Sequence, residues 1–332
     1  MKYLIIGLAL LSLMSCSTDQ TTSGWTLVIH GGAGGISRER IDEDAEAEYH
    51  AALEQALEMG AAVLRADGSA VDAVVAAVIS LENYPGFNAG KGAVFTHEGK
   101  NELDASIMEG TQRNAGAVAG VTTVKNPIVA ARAVMERSEH VMLSGAGADF
   151  FAAEQGLEIV EPEYFFTQRR WDDLQKLLSR ENSAGVEADR GDYKFGTVGA
   201  VALDASGNLA AATSTGGMTN KRWGRVGDSP VIGAGTYASN DSCAVSATGH
   251  GEYFIRHTVA RDICALMEFG NYTLDLAARE IIQGRLKEAG GSGGIIAVDA
   301  GGQLVMEFNS SGMFRGSISH SQPAYTAMFG DD

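Results

Sequence analysis

Apolar positions recur along the chain in two spacings. Residues 25–29 form a short continuous apolar run closed by His30-Gly31-Gly32-Ala33-Gly34-Gly35, the signature of a buried strand ending in a turn. Over 45–65, Ala, Leu and Val return at helical intervals. Residues 69–81 read as a second helix, apolar on nearly every side and therefore buried. A loop over 82–92 leads to a strand expected at 92–96, an acidic stretch at 102–109 and a further strand at 115–124. Asn126-Pro127 opens a helix to about Glu136, with proline at an early helical position. Residues 150–155 and 170–178 also carry a helical pattern.

The pattern then changes. Residues 179–194 (SRENSAGVEADRGDYK) are polar, charged and nearly free of apolar side chains, so a flexible linker is expected there. Strand signals resume at once in Phe195-Gly196-Thr197-Val198-Gly199. Residues 200–204 and 209–213 flank Ala205-Ser206-Gly207-Asn208 and predict a hairpin. Helices are expected at 253–269 and 274–288. Residues 196–218 align without gaps to 291–313, with about nine of 23 positions identical, most of them Gly or turn residues. Two hairpins of one build are thus expected in the second half. Strands and helices come in blocks, which favours an α+β arrangement of layered sheets with helices outside.

The N-terminus has its own pattern. Met1-Lys2 precedes an apolar run over 3–14, and then Ser15-Cys16-Ser17. The run is too short to span a bilayer and reads as a secretory signal. Leu13-Met14-Ser15-Cys16 resembles a bacterial lipobox, which implies cleavage before Cys16 and lipidation of its thiol. The expectation is a signal peptide over 1–15, a tether over 16–24, and an extracytoplasmic lipoprotein on the periplasmic or outer-membrane side. Its membrane contact would be the lipid anchor alone.

Composition narrows the function. The 332 residues carry 42 acidic and 25 basic side chains, a net charge of −17. Such a balance excludes a nucleic-acid binder, which needs clustered cations against phosphate. Three cysteines make no disulfide framework, and no CxxC pair offers a zinc site. Spacing leaves open whether Cys243 and Cys264 pair. Forty-two glycines lie in short clusters between apolar runs, as in tight turns and close backbone approaches.

Gly290-Gly291-Ser292-Gly293-Gly294 fits G-x-S-x-G, but a helix precedes it and a strand follows, the reverse of a nucleophile elbow. His250-Gly251-Glu252 has the H-x-E of a deaminase without the P-C-x-x-C partner. The informative junction is Gly196-Thr197, where the polar linker meets a buried strand. A cut between them would give Thr197 a free α-amine with a pKa of about 7.7–8, so that nucleophile and base reside in one residue. Glycine at 196 tolerates the strained backbone of an N-to-O acyl shift.

From Trp25 nearly to its end the chain resembles the isoaspartyl peptidase / plant-type L-asparaginase family of N-terminal nucleophile hydrolases. The segments that carry the resemblance are HGGAGG from His30, FNAGKGAVFT from Phe87, ELDASIMEG from Glu102, AGAVAGV from Ala115 and NPIVAARAVME from Asn126. The long GTVGAVALDASGNLAAATSTGGMTNKRWGRVGDSP from Gly196, GAGTY from Gly233 and ATGHGEYFIR from Ala247 complete the series. The resemblance implies a four-layer αββα sandwich, self-cleavage before Thr197 into an α subunit (25–196) and a β subunit (197–332), and an (αβ)2 assembly. It implies Thr197 as nucleophile, Thr215 as its hydroxyl partner, and Asn88 beside it. Arg225 and Asp228 would clamp the α-carboxylate and α-ammonium of the substrate, a pairing that suits a zwitterionic head group. Thr248 and Gly249 would form the oxyanion hole, and Gly251 a further substrate contact. No organic cofactor is implied. A structural sodium ion is, on the backbone carbonyls of Leu81, Glu82, Tyr84, Phe87, Ala89 and Lys91. The substrates implied are β-aspartyl dipeptides and L-asparagine. The alternatives are glycan-linked asparagine, cleaved by a relative with the same nucleophile, or a non-catalytic binding module. Phe195 departs from the His or Asp usual before the cleavage glycine.

Overall fold

The computed structural model describes residues 24–184 and 196–332. The fold is a mixed α+β arrangement around two sheets. Strands β1 (Thr26–Gly34), β2 (Leu103–Glu109), β3 (Ala115–Val121), β4 (Met142–Ser144), β5 (Val198–Leu203), β6 (Leu209–Thr215), β11 (Gly312–Ser319) and β12 (Tyr325–Phe329) form the larger one. Its order is β12-β11-β1-β5-β6-β2-β3-β4. The smaller sheet has the order β10-β9-β8-β7, from β7 (Thr236–Ala238), β8 (Cys243–Gly249), β9 (Gly293–Asp299) and β10 (Leu304–Phe308).

Strand period two decides what faces what. On β1, Leu27 and Ile29 pack with helices α1 (Glu43–Arg65) and α2 (Ala70–Asn83), whereas Val28 packs with the smaller sheet. On β5 and β6 the same alternation sends Ala200, Ala202, Ala210 and Ala212 to the helices and Val201, Leu203, Leu209 and Ala211 to the smaller sheet. Helices α7 (Val259–Gly270) and α8 (Leu274–Arg279) pack on β8, β9 and β10. Helix α1 begins where Asp42 Oδ1 accepts from Ala45 N at 2.9 Å, with Glu43, Asp44 and Glu46 in the first turn complementing its dipole.

The paired hairpins are built alike. In β5–β6 and in β9–β10 an aspartate, Asp204 or Asp299, bridges the turn. Its Oδ1 accepts at 2.9 Å from Asn208 N or Gln303 N, and a glycine at φ 82° follows. One hairpin lies in each sheet.

Three expectations are corrected. No strand forms over 92–96: Asn88 Oδ1 takes Val94 N at 3.0 Å, and Asn101 donates to the carbonyls of Ala93 and Val94. Side-chain amides thus replace a ladder. The linker expected over 179–194 is helical in its described part, 179–184, and the rest of it lies outside the described residues. Helix α5 (Gln168–Ala184) runs through 179–184, because Glu181 accepts from Asn220 Nδ2 at 2.8 Å and pairs with Arg222. The helix expected at 253–269 is two: α6 (Gly251–Arg256) and α7. Thr258 turns left-handed at φ 44° between them, and Ala260 N and Arg261 N donate to Ala234 O and Gly233 O. Helices α3 (Pro127–Arg137) and α4 (Gly145–Glu154) lie beside β3.

Candidate active site

Thr197 stands at the mouth of β5, an inner strand flanked by β1 and β6. Its side chain is 5% exposed. Thr197 Oγ1 donates to Thr215 Oγ1 at 3.2 Å, and Thr215 Oγ1 donates to the Gly196 carbonyl at 2.9 Å. Asn88 Nδ2 donates to the same carbonyl at 2.8 Å and to Gly217 O at 2.7 Å. Two donors therefore converge on the carbonyl oxygen of the Gly196–Thr197 bond, and the hydroxyl that could attack it lies beside one of them. Gly32, at φ 119°, passes against this bond. A Cβ there would sit 3.0 Å from Gly196 Cα and 3.2 Å from Thr197 N, so only glycine permits the approach. Imidazole Nδ1 of His30 lies 2.8 Å from the Thr197 carbonyl oxygen.

A small polar pocket opens from Thr197. It is lined by Thr215, Gly217, Arg225, Gly227, Asp228 and Gly249 among others. Arg225 uses Nε and Nη2 on the Glu252 carboxylate, both at 2.9 Å, which leaves Nη1 toward Gly217 and Gly227. Asp228 is buried, and its Oδ2 has no hydrogen-bond partner among the described residues. Burial pushes its pKa up from 3.8 to about 7, against the pull of Arg225. An orphan acceptor facing a pocket is suited to a cationic ligand. Gly251 makes room for this pair, since a Cβ would lie 2.9 Å from Arg225 Nη2 and from Asp228 Oδ1.

The structure brings Thr197, Thr215, Asn88, Gly196, Arg225, Asp228 and Gly249 together. It sets Thr248 one step back, where its Oγ1 accepts from Ala33 N at 3.1 Å. Glu252, which orients the guanidinium, was not read from the sequence as part of the site. The signal lies in His250-Gly251-Glu252, whose spacing by itself matches only an incomplete deaminase motif. Cys16 lies outside the described residues. Cys243 and Cys264, left open by spacing, are joined as a disulfide between β8 and α7.

Among the described residues no cluster of three or more His, Cys, Asp or Glu could hold a metal ion. Backbone carbonyls are another matter. The loop after α2 folds so tightly that a Cβ on Gly90 would come within 2.4 Å of Glu82 O, and one on Gly92 within 1.9 Å of Phe87 O. Buried Glu82 accepts from Ser214 Oγ at 2.6 Å, Asn126 Nδ2 at 3.0 Å and Ile128 N at 3.0 Å. Desolvation nevertheless lifts its pKa to about 7.

Residues 23–328 match the family described as asparaginase. The chain is 52% identical over 294 residues to the isoaspartyl peptidase of Escherichia coli strain K12, covering 87% of this chain and 91% of that one. It is 43% identical over 288 residues to the human isoaspartyl peptidase/L-asparaginase, covering 86% and 91%. The expectation of an extracytoplasmic, lipid-anchored protein is overturned by these relatives, which are named as isoaspartyl peptidases and not as lipoproteins. Among the described residues no helix is long and apolar enough to cross a membrane.

Proposed function

The chain belongs to the asparaginase family, and from that premise and the site geometry we propose that it is a self-processed threonine amidohydrolase releasing L-aspartate from β-aspartyl dipeptides and L-asparagine. The observation that carries this reading is the convergence of Thr197, Thr215 and Asn88 on the Gly196 carbonyl.

In self-cleavage, Thr197 Oγ attacks the Gly196 carbonyl carbon. Asn88 Nδ2 and Thr215 Oγ1 hold the oxyanion, the peptide nitrogen leaves carrying the proton that Oγ gave up, and water hydrolyses the resulting ester. Gly196 then ends one chain and Thr197 begins the next with a free amine. In turnover that amine takes the proton of its own Oγ, which attacks the side-chain carbonyl of the substrate. Arg225 receives the α-carboxylate and Asp228 the α-ammonium. Gly249, with Thr248 behind it, stabilises the second oxyanion. The amine or ammonia leaves, and water frees aspartate from the acyl-enzyme.

The reading includes a four-layer αββα sandwich, supported by helices on one face of the larger sheet and the smaller sheet on the other. It also includes an (αβ)2 assembly. The carbonyls of Leu81, Glu82, Tyr84, Phe87, Ala89 and Lys91 would hold a sodium ion, which steadies the loop that carries Asn88. No organic cofactor enters. The names of the relatives favour these substrates over glycan-linked asparagine.

Mass spectrometry of the purified protein tests the proposal: a chain starting at Thr197 is expected, and Thr197→Ala should remain a single chain without turnover. A Thr197→Ala protein that still ran as two chains would end it. Hydrolysis of β-aspartyl-leucine and of N-acetylglucosaminyl-asparagine, measured side by side, separates the two substrate classes.

A further inference from the structure

We propose that His30 is a positioning residue for the nucleophile, oriented by a chain of buried hydroxyls that crosses both sheets to the substrate clamp. The inference rests on the reading of Thr197 as nucleophile. His30 Nδ1 faces the Thr197 carbonyl oxygen at 2.8 Å. A carbonyl only accepts, so Nδ1 carries the proton and Nε2 is bare. Ser246 Oγ, 2.9 Å from Nε2, must then donate to it. Ser246 has one proton, so Thr213 Oγ1, 2.7 Å away, donates to Ser246. Thr236 Oγ1 donates to Thr213 at 2.5 Å. Ser106 Oγ has one proton and shares it in a three-centre bond between Thr236 Oγ1 at 2.8 Å and the Ser229 carbonyl at 2.6 Å. Ser229 follows Asp228 and lines the pocket. The carbonyl of the nucleophile and the backbone of the clamp are thus the two ends of one hydrogen-bonded path.

All five side chains of the path are fully buried, at 0% exposure, which makes each missing partner costly. Sheet register lines them up: His30 pairs with Gly199, Gly199 with Thr213, and Thr213 with Ser106. Gly199 is the notch. A Cβ there would stand 2.0 Å from Ser246 Oγ and 2.5 Å from His30 Nε2, so the bond between them can run only over a glycine. Burial lowers the imidazole pKa to about 3, so His30 stays neutral and keeps one tautomer across the working range. It is no general base. It fixes the carbonyl of Thr197, and with it the direction of Oγ and of the amine.

The test compares Ser246→Ala and Thr213→Val with wild type, in the processed enzyme, by steady-state kinetics, thermal melting and 15N NMR of His30. The wild-type spectrum should show a protonated Nδ1 and a bare Nε2. Each variant should lose about tenfold in kcat while KM stays within about twofold, the pattern of a misplaced reacting group. His30→Asn, whose amide can still donate to the Thr197 carbonyl, should retain more kcat than His30→Ala. A wild-type proton on Nε2, or unchanged kcat in both chain variants, overturns the proposal; so does a kcat loss matched by an equal loss in stability. Where a variant stays uncut, the rate of self-cleavage of its precursor replaces kcat, with the same fold-change expected. If wild type itself lacks a Thr197 terminus, the nucleophile reading fails, and the tautomer measurement still decides the orientation of His30.

Discussion

Asp228→Asn should make the protein more stable and nearly inactive at once. The carboxyl is buried with one oxygen unpartnered, and its pKa moves from 3.8 to about 7. At about 1.36 kcal/mol per pH unit, holding it ionised above pH 7 costs the fold on the order of 4 kcal/mol. The folded state binds more protons than the unfolded state between about pH 4 and 7. This contribution to wild-type stability is therefore fully present below pH 4 and lost as pH rises through 7. Asparagine has the same shape and no charge to desolvate, so the melting-temperature gap between variant and wild type should open from near zero at about pH 4 to a plateau above about pH 7. Without an anion for the α-ammonium, kcat/KM should fall by about 10²–10³. Melting curves at fixed ionic strength in pH steps, with β-aspartyl-leucine hydrolysis on the same samples, read both effects. Other buried carboxyls, Glu82 included, cancel in the difference. A gap independent of pH, or a wild type more stable than the variant at pH 8, would refute the account of Asp228 as an orphan acceptor held for a substrate.

The same shift sets the pH dependence of wild-type catalysis: kcat/KM should rise with pH through about 7 as Asp228 ionises, and a rate flat from pH 5 to 8 would contradict it. Glu252→Gln weakens the hold on Arg225 Nε and Nη2, so KM should rise about three- to tenfold with kcat nearly unchanged, checked by saturation kinetics. Asn88→Ala removes one of two donors on the Gly196 carbonyl. Self-cleavage should slow by about 10²–10³, followed as loss of the uncut band on a gel, and a wild-type rate would show that this donor is idle.

Local chemistry was legible where it acts locally. The hairpin around Ala205-Ser206-Gly207-Asn208 is read from adjacent residues, because the turn is closed locally by Asp204, only four positions from Asn208. The change of composition marks the Gly196-Thr197 junction, but by itself that change fits an ordinary loop-to-strand entry, and only the family resemblance makes the junction a cleavage site. What escaped depends on partners far along the chain. Residues 92–96 look like a strand until Asn88 and Asn101 claim their backbone groups. The break at Thr258 follows from carbonyls of Gly233 and Ala234, and the extension of α5 from Arg222 and Asn220. Glu252 and His30 were visible as letters in motifs, but their roles are set by Arg225, Ser246 and Thr213, which only the fold brings near.

The strand order has a consequence for what a broken Gly196–Thr197 bond leaves behind. Strands upstream of that bond (β1, and β2 to β4) alternate in the larger sheet with strands downstream of it (β5 and β6, β11 and β12). The N-terminal piece therefore contributes β1 as a plank wedged between β11 and β5, held on both edges by the C-terminal piece. The halves are interlaced like fingers and cannot be pulled apart without unzipping three ladders, β1–β11, β1–β5 and β2–β6, so severing the backbone yields two polypeptides that live and melt as one body.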